Sequence, residues 1–259
     1  MSVPYYHVDA FTGSLFAGNP AGVCLLAGEL PDNVLQSIAA ENNLPETAFL
    51  IQRESHFDLR WFSPTVEIDL CGHATLASAH VLFRHLGYRG EEVRFQTRSG
   101  ELTVTRDGEL LSLDFPSRPA EPCELPADLL IGLGRHPAYL AKARDYLAVF
   151  ESEQTVREMR PDMAALMRID AHAFIVTAPG DRSDFVSRFF APHVGVPEDP
   201  VTGSAHCTLI PYWAQRLGKS KLHALQISAR GGELFCQDRG QRVGIAGRAV
   251  TYSCGFIHL

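Results

Sequence analysis

The sequence predicts an α/β protein built twice over: two pseudo-symmetric halves, each a strongly curved sheet or barrel wrapped around a central apolar helix. The first observation behind this is an internal repeat. Arg60-Trp61-Phe62-Ser63-Pro64-Thr65-Val66 returns as Arg188-Phe189-Phe190-Ala191-Pro192-His193-Val194, 128 residues on; Gly72-His73-Ala74 returns as Gly203-Ser204-Ala205 after 131; Arg98-Ser99-Gly100-Glu101-Leu102 returns as Arg230-Gly231-Gly232-Glu233-Leu234 after 132. One match could be chance. Three in the same order across 259 residues record a duplication, and so long a period means two domains rather than a solenoid. The second observation is pattern: in each half, short alternating runs surround one helical run that is apolar nearly all round and so belongs inside.

The elements follow in order. Tyr6 to Phe11 begins a strand, Gly18-Asn19-Pro20-Ala21-Gly22 reads as a turn, and Val23 to Leu26 as a second strand. Pro31-Asp32 opens a helix with Val34, Leu35 and Ile38 on one face, ending near Asn42-Asn43. Thr47 to Ile51 and Phe57 to Trp61 read as strands, the latter stopped by Pro64. Gly72 to Leu86, closed by Gly87, is the first central helix; Glu101 to Phe115 is a hairpin about Asp107-Gly108, a pair that tolerates a tight turn. Pro116 to Pro126, with four prolines, reads as the linker. Beyond it, Ala173 to Thr177 is a strand, Gly203 to Leu217 the second central helix, and Glu233 to Ile245 the second hairpin. The Tyr252 to Leu259 segment is expected to pair with the first half. Expected boundaries are 1–117 with 248–259, and 118–247, with the active site in the cleft between them.

Composition sets limits on function. At 46% hydrophobic and 20% charged the chain is ordinary for a globular protein, and a net charge of −7 with pI near 5.9 disfavours nucleic acid or a membrane surface. No apolar run approaches the ~20 residues that span a bilayer. Six cysteines lie scattered without C-x-x-C spacing, no secretory h-region is present, and no zinc spacing, G-x-G-x-x-G or P-loop occurs. The expectation is a cytoplasmic protein with free thiols and no metal or organic cofactor.

Both central helices start at a glycine, Gly72 and Gly203. Their free N–H groups suit an anion such as a carboxylate, although such glycines also serve simple helix packing. Glu46, at the start of a strand, is a surface carboxylate or a proton-transferring base. His73, second in its helix, is expected to stay neutral because the helix dipole disfavours its imidazolium. Asp199, in Glu198-Asp199-Pro200, is a turn residue or part of the site. Cys71 and Cys207 read as buried packing thiols.

Taken together, Asp9-Ala10-Phe11 with Gly18-Asn19-Pro20, Asn43-Leu44-Pro45-Glu46-Thr47, Gly72-His73-Ala74-Thr75-Leu76, Glu198-Asp199-Pro200-Val201-Thr202-Gly203-Ser204-Ala205 and the closing Gly255 segment resemble the phenazine-biosynthesis-like isomerases, the PhzF family. The resemblance covers essentially the whole chain. It implies a diaminopimelate-epimerase-like fold, a homodimer, Glu46 as the catalytic glutamate, and His73, Asp199 and Ser204 as catalytic polar residues beside it. Asn19, Gly72 and Gly203 match substrate-contacting positions. One departure matters: cofactor-independent racemases of that fold use a thiol before each glycine, and here Cys71 has Thr202 as its counterpart. A hydroxyl does not replace a thiolate base near neutral pH. The expected activity is a cofactor-independent isomerase that moves a proton on a small carboxylated, amino-acid-like molecule. The alternatives are a racemase or epimerase using Cys71 with a second base, and a non-enzymatic small-molecule-binding protein of the same fold.

Overall fold

The structure is a computed structural model describing residues 1–259. The chain forms two compact units, Met1–Asp114 with Ala246–Leu259, and Phe115–Ile245. Mixed sheets dominate both, so the α/β class predicted from pattern is the class observed.

In the first unit, β1 (Ser2–Ala10) pairs antiparallel with β2 (Asn19–Leu26), and helix α1 (Asp32–Asn42) crosses over to β3 (Glu46–Gln52), parallel to β2. Antiparallel to β3 runs β4 (Phe57–Phe62), which also pairs with the short β5 (Glu67–Ile68). Helix α2 (Gly72–Arg84) is the second crossover and leads to β6 (Glu92–Thr97), parallel to β4, then β7 (Gly100–Asp107) and β8 (Leu110–Pro116).

The second unit opens with β9 (Glu121–Pro122), α3 (Ala127–Leu133), and the antiparallel pair β10 (Tyr139–Lys142) and β11 (Tyr146–Val149). Short helices α4 (Glu153–Glu158) and α5 (Met163–Leu166) cross over to β12 (Phe174–Pro179), parallel to β11. The path then repeats that of the first unit. β13 (Phe185–Ala191) lies antiparallel to β12 and to β14 (Val196–Asp199); α6 (Gly203–Leu217) crosses to β15 (Lys221–Gln226), parallel to β13; β16 (Gly232–Asp238) and β17 (Arg242–Gly247) follow. The final strand, β18 (Ala249–His258), pairs antiparallel with β1.

The repeated motifs have physical roles. Arg60 on β4 grips Glu67 on β5 through two hydrogen bonds (2.7 and 2.8 Å) and lies over the Phe62 ring; Arg188 on β13 does the same to Glu198 on β14 (2.7 and 2.9 Å) and lies over Phe190. Each pair fastens the strand that leads into a central helix. Behind it, Ser99 Oγ donates to the Asp69 carbonyl and Ser228 Oγ to the Pro200 carbonyl, fixing the backbone just ahead of each helix.

The central helices are buried, as their composition predicts. From His73 to Leu82 only His80 escapes full burial in α2, which packs on β1, β2, β3, β7 and β18. The hydroxyls of Thr75 and Ser78 bond back to the Cys71 and Ala74 carbonyls, so neither hydroxyl is stranded against the sheet. On the other side of the sheet, Leu35, Ile38 and Ala39 of α1 pack with Val3, Cys24, Leu26, Phe49 and Phe62. A sheet covered on both faces buries its strands along their length, as in β2 and β13, with the few polar side chains among them, such as Arg188, held by partners. Helix α6 carries Pro211 in its interior, which removes the bond normally made to the Cys207 carbonyl; the Arg118 N–H takes that acceptor instead, at 2.8 Å.

One expected turn is corrected. Asn19 to Gly22 lie inside β2, in register with Ala10 to His7 of β1, and the reversal is made before them, at Gly18 (φ +68). Gly22 is there for space: a Cβ would meet Thr47 Oγ1 at 3.0 Å and Tyr5 at 3.1 Å. No helix is long and apolar enough to cross a membrane.

Candidate functional site

Glu46 is the first residue of β3, opposite Ala21 of β2, and Asn19 lies fully buried at the start of that neighbouring strand. Cys71 is the N-cap of α2, with extended backbone (φ −136, ψ 109), and its side chain makes no capping bond. It turns to His73 instead: Cys71 Sγ lies 3.5 Å from His73 Nδ1. At the far side of the same ring, His73 Nε2 is 3.0 Å from Glu46 Oε2. The side chains of His73 and Glu46 are only 7% and 18% exposed. The ring N–H is not aligned on the carboxylate, so neither Nε2 nor Oε2 has a hydrogen-bond partner. Two buried polar atoms left in this way are costly unless a third group completes them.

Burial by itself pushes the His73 pKa down. The charges that Cys71 and Glu46 can carry, both in contact with the ring, outweigh burial and hold it well above the ordinary histidine value. The expectation of a neutral His73 is therefore corrected: a helix dipole contributes about 0.3–1 kcal/mol, less than a buried carboxylate in contact. The Cys71 thiol is pushed up, first by burial and then by the Glu46 charge, and so stays protonated.

Glu46, Cys71 and His73 are also metal-capable donors whose ligand atoms lie within 4.8 Å of one another. The thiol meets the imidazole at Nδ1 and the carboxylate meets it at Nε2, and the three form one compact, largely buried cluster.

The second unit places Asp199 at the end of β14, Thr202 as the extended N-cap of α6 (φ −118, ψ 99), and Gly203 and Ser204 as the first helical residues. Thr202 likewise leaves its helix uncapped and donates its hydroxyl to Asp199 Oδ2. Gln226, fully buried at the end of β15, accepts from the Thr202 N–H (2.8 Å) and donates to the Asp199 carbonyl (2.9 Å) and to Thr202 Oγ1 (3.1 Å). Ser204 Oγ accepts from Arg144 (3.3 Å), whose guanidinium is held by the buried Asp145 carboxylate at 3.0 and 2.8 Å. His206, fully buried, contacts the Thr202 carbonyl through Nδ1 (2.8 Å), and burial pushes its pKa down to about 4.

The structure thus groups Glu46 with His73 in one unit, and Asp199 with the Gly203-Ser204 helix start in the other. Sequence reasoning missed two residues that hold these groups, Arg144 and Gln226. Cys71 reads from the sequence as a packing thiol or, in the racemase alternative, as a base, and it is buried in contact with His73; Thr202 reads only as that thiol's counterpart. Arg144 and Gln226 gave no signal, because each comes from a strand end or turn that the repeat does not mark.

A family profile described as "Phenazine biosynthesis-like protein" (PhzC-PhzF) matches residues 8–255. An uncharacterized isomerase of Pseudomonas aeruginosa is 52% identical over 259 residues, covering 100% of both chains. The crystal structure of a phenazine biosynthesis protein of the PhzF family from Enterococcus faecalis superposes with a TM-score of 0.98 at 46% identity, covering 100% of both chains. A hydroxyproline epimerase from Agrobacterium vitis, crystallised with trans-4-hydroxy-L-proline, shares the fold at 12% identity, with a TM-score of 0.63 and coverage of 99% of this chain and 92% of that one. With nearly its whole length matched and with relatives that are named isomerases, this chain belongs to the phenazine biosynthesis-like family and is an enzyme of the isomerase class.

Proposed function

We propose that the enzyme moves a proton between positions on a small carboxylated, amino-acid-like molecule, with Glu46 as the base that removes and returns it. The observation that carries this reading is the contact of Glu46 Oε2 with His73 Nε2: two buried titratable atoms, 3.0 Å apart, neither with a hydrogen-bond partner. Such a pair is set to receive a third group beside its members, and a substrate carbon bearing the mobile proton is one that both could serve. His73, held positive, stabilises negative charge that develops as the proton leaves. The helix starts at Gly72 and Gly203 favour the substrate carboxylate, and Asn19, Asp199 and Ser204 supply polar contacts. Every step draws on the protein's own side chains. General acid-base transfer contributes about 10²- to 10⁴-fold, so water exclusion must add to it.

A racemase built on Cys71 receives less support. Its thiol is protonated through burial, and its partner position is Thr202. The homodimer implied by the family resemblance and the cytoplasmic setting expected from the cysteine pattern belong to the same proposal; sedimentation tests the first.

The deciding experiment incubates the enzyme in D₂O with cyclic and aromatic amino acids and follows deuterium uptake by mass spectrometry and NMR. Uptake into at least one acid, abolished in Glu46→Gln and retained in Cys71→Ser, is expected. Uptake that survives Glu46→Gln and disappears in Cys71→Ser transfers the role to the thiol.

A further inference from the structure

We propose that Gln226 is a positioning residue: through Thr202 it holds Asp199 as an ionised, acceptor-only carboxylate. The argument is one of donors and acceptors. The Gln226 amide can stand in only one orientation, because its Oε1 meets the Thr202 N–H and its Nε2 meets the Asp199 carbonyl; a flipped amide would set donor against donor and acceptor against acceptor. With the amide so fixed, the second Nε2–H points into Thr202 Oγ1 at 3.1 Å. A hydroxyl that accepts from an amide has its single proton left to give, and Thr202 gives it to Asp199 Oδ2. The chain Gln226 to Thr202 to Asp199 therefore runs in one direction and ends on the carboxylate. A charge-assisted bond at that end favours the ionised form.

Helix geometry supports the assignment. Thr202 is an N-cap by position and by backbone, the place where a threonine hydroxyl ordinarily accepts from a helical N–H. Here it makes no such bond, and the fully buried Gln226 takes the Thr202 N–H instead. The local cap is given up and a buried glutamine spent to aim one hydroxyl at one carboxylate. The neighbouring Glu198 is engaged by Arg188 at 2.7 and 2.9 Å, so the device acts on Asp199 alone.

This inference rests on the reading above in so far as Asp199 meets the substrate there: an acceptor-only carboxylate selects a molecule offering an ammonium or hydroxyl group. The test needs no substrate. The full chain labelled with [γ-¹³C]aspartate, its Asp199 signal assigned through Asp199→Asn, is titrated by NMR as wild type, Thr202→Ser, Thr202→Val and Gln226→Glu. Thr202→Val keeps the shape and removes the hydroxyl; Gln226→Glu keeps the shape and turns the Thr202 hydroxyl away from Asp199. Both are expected to raise the Asp199 midpoint by about one pH unit, while Thr202→Ser leaves it in place. Gln226→Glu also brings a charge beside Asp199, so it is read again in the Thr202→Val background, where a relayed effect disappears and a direct charge effect remains. A merely structural role would lower the melting temperature without moving the midpoint in Thr202→Val. Midpoints within about 0.3 unit of wild type in both Thr202→Val and Gln226→Glu, in folded protein, overturn the proposal. Failure of the deuterium experiment removes the substrate assignment and leaves this result standing.

Discussion

The helix starts of α2 and α6 occupy equivalent places in two copies of one scaffold, and they carry opposite equipment. The register fixes the correspondence. Phe62 pairs with Thr47 and Phe190 with Phe174, so the position of Glu46 in the first unit is that of Ala173 in the second. In the same way Trp61 pairs with Ile68 and Phe189 with Asp199, so Asp199 stands where the first unit has isoleucine. Cys71 answers to Thr202 and His73 to Ser204. What both units share is the device: an N-cap side chain that abandons its helix to hold a titratable neighbour, His73 in one and Asp199 in the other. Duplication supplied the scaffold and the device, and divergence left a Glu–His pair in one unit and an aspartate in the other. The first unit should therefore govern proton transfer, the second recognition.

The largest way to break that division is at Glu46. Glu46→Gln keeps the shape of the side chain and cannot take a proton, so turnover on any substrate found by deuterium uptake should fall about 10²- to 10⁴-fold. Asp199→Asn should act mainly on recognition, raising KM about tenfold with a smaller loss of kcat. Steady-state kinetics of the two variants decide it; equal losses of kcat from both would merge the roles.

The repeated Arg–Glu clamps offer a second contrast, now in stability. The Arg188 side chain is 9% exposed and also donates to the Val156 and Met159 carbonyls, whereas Arg60 is 29% exposed and reaches out to Asp32. Removing one partner of a buried pair leaves an uncompensated charge and stranded carbonyls, so Arg188→Met should cost about 3–5 kcal/mol. Arg60→Met, with solvent at hand, should cost about 1 kcal/mol. Urea unfolding of both variants measures the difference, and equal costs would mean that the two clamps are equally dry.

A third contrast concerns the N-cap carbonyls. Thr75 Oγ1 bonds that of Cys71, and His206 Nδ1 that of Thr202. Only the second can titrate. His206 has a folded pKa of about 4 against 6.5 when free, so the fold holds it neutral while the unfolded chain takes up a proton. Its contribution is complete above pH 6.5 and is lost as pH falls toward 4, amounting to about 3 kcal/mol across that window. His80, at about 4 through burial, adds to the same acid limb from the first unit. Unfolding free energy should fall steeply from pH 6.5 to 4.5, and His206→Thr should flatten that slope even where it lowers stability at pH 7. An unchanged slope would show that His206 is protonated in the fold.

Much of this was legible beforehand. Gly203 to Leu217 is a helix end to end, because apolar residues and the closing Gly218 (φ +66) agree, and the hairpins about Gly108 and the burial of α2 follow from equally local signals. Asn19 to Gly22 were misread because residues typical of a turn are also what a crowded strand requires: a proline paired with Asp9 and a glycine against Thr47. The candidate site was legible where its residues sit in short motifs, at Glu46, His73, Asp199 and Ser204. Gln226 and Arg144 were not, since their roles exist only once β15 and the turn after β10 are brought beside α6. The sign of the His73 shift was missed for the same reason: the dipole belongs to its own helix and can be read locally, but the carboxylate that outweighs it comes from β3.

The smallest effect is expected at Cys71, and it sharpens the comparison most, because Cys71→Ser brings a hydroxyl to the place that Thr202 holds in the other unit. Burial keeps the wild-type thiol protonated, so it is not a base in the resting enzyme; its contact with His73 Nδ1 at 3.5 Å holds the ring whose Nε2 meets Glu46. Serine keeps a donor there on a shorter bond. A neutral hydrogen bond contributes about 0.5–1.5 kcal/mol, so Cys71→Ser should lower the deuterium-exchange rate by no more than about tenfold, and Cys71→Ala, which leaves Nδ1 without a neighbour, by somewhat more. A thiol that took the substrate proton itself would make Cys71→Ser as damaging as Glu46→Gln, because a serine hydroxyl is not ionised near neutral pH. The ratio of the two variants' rates, measured on one substrate at one pH, therefore separates a ring held in place from a base lost.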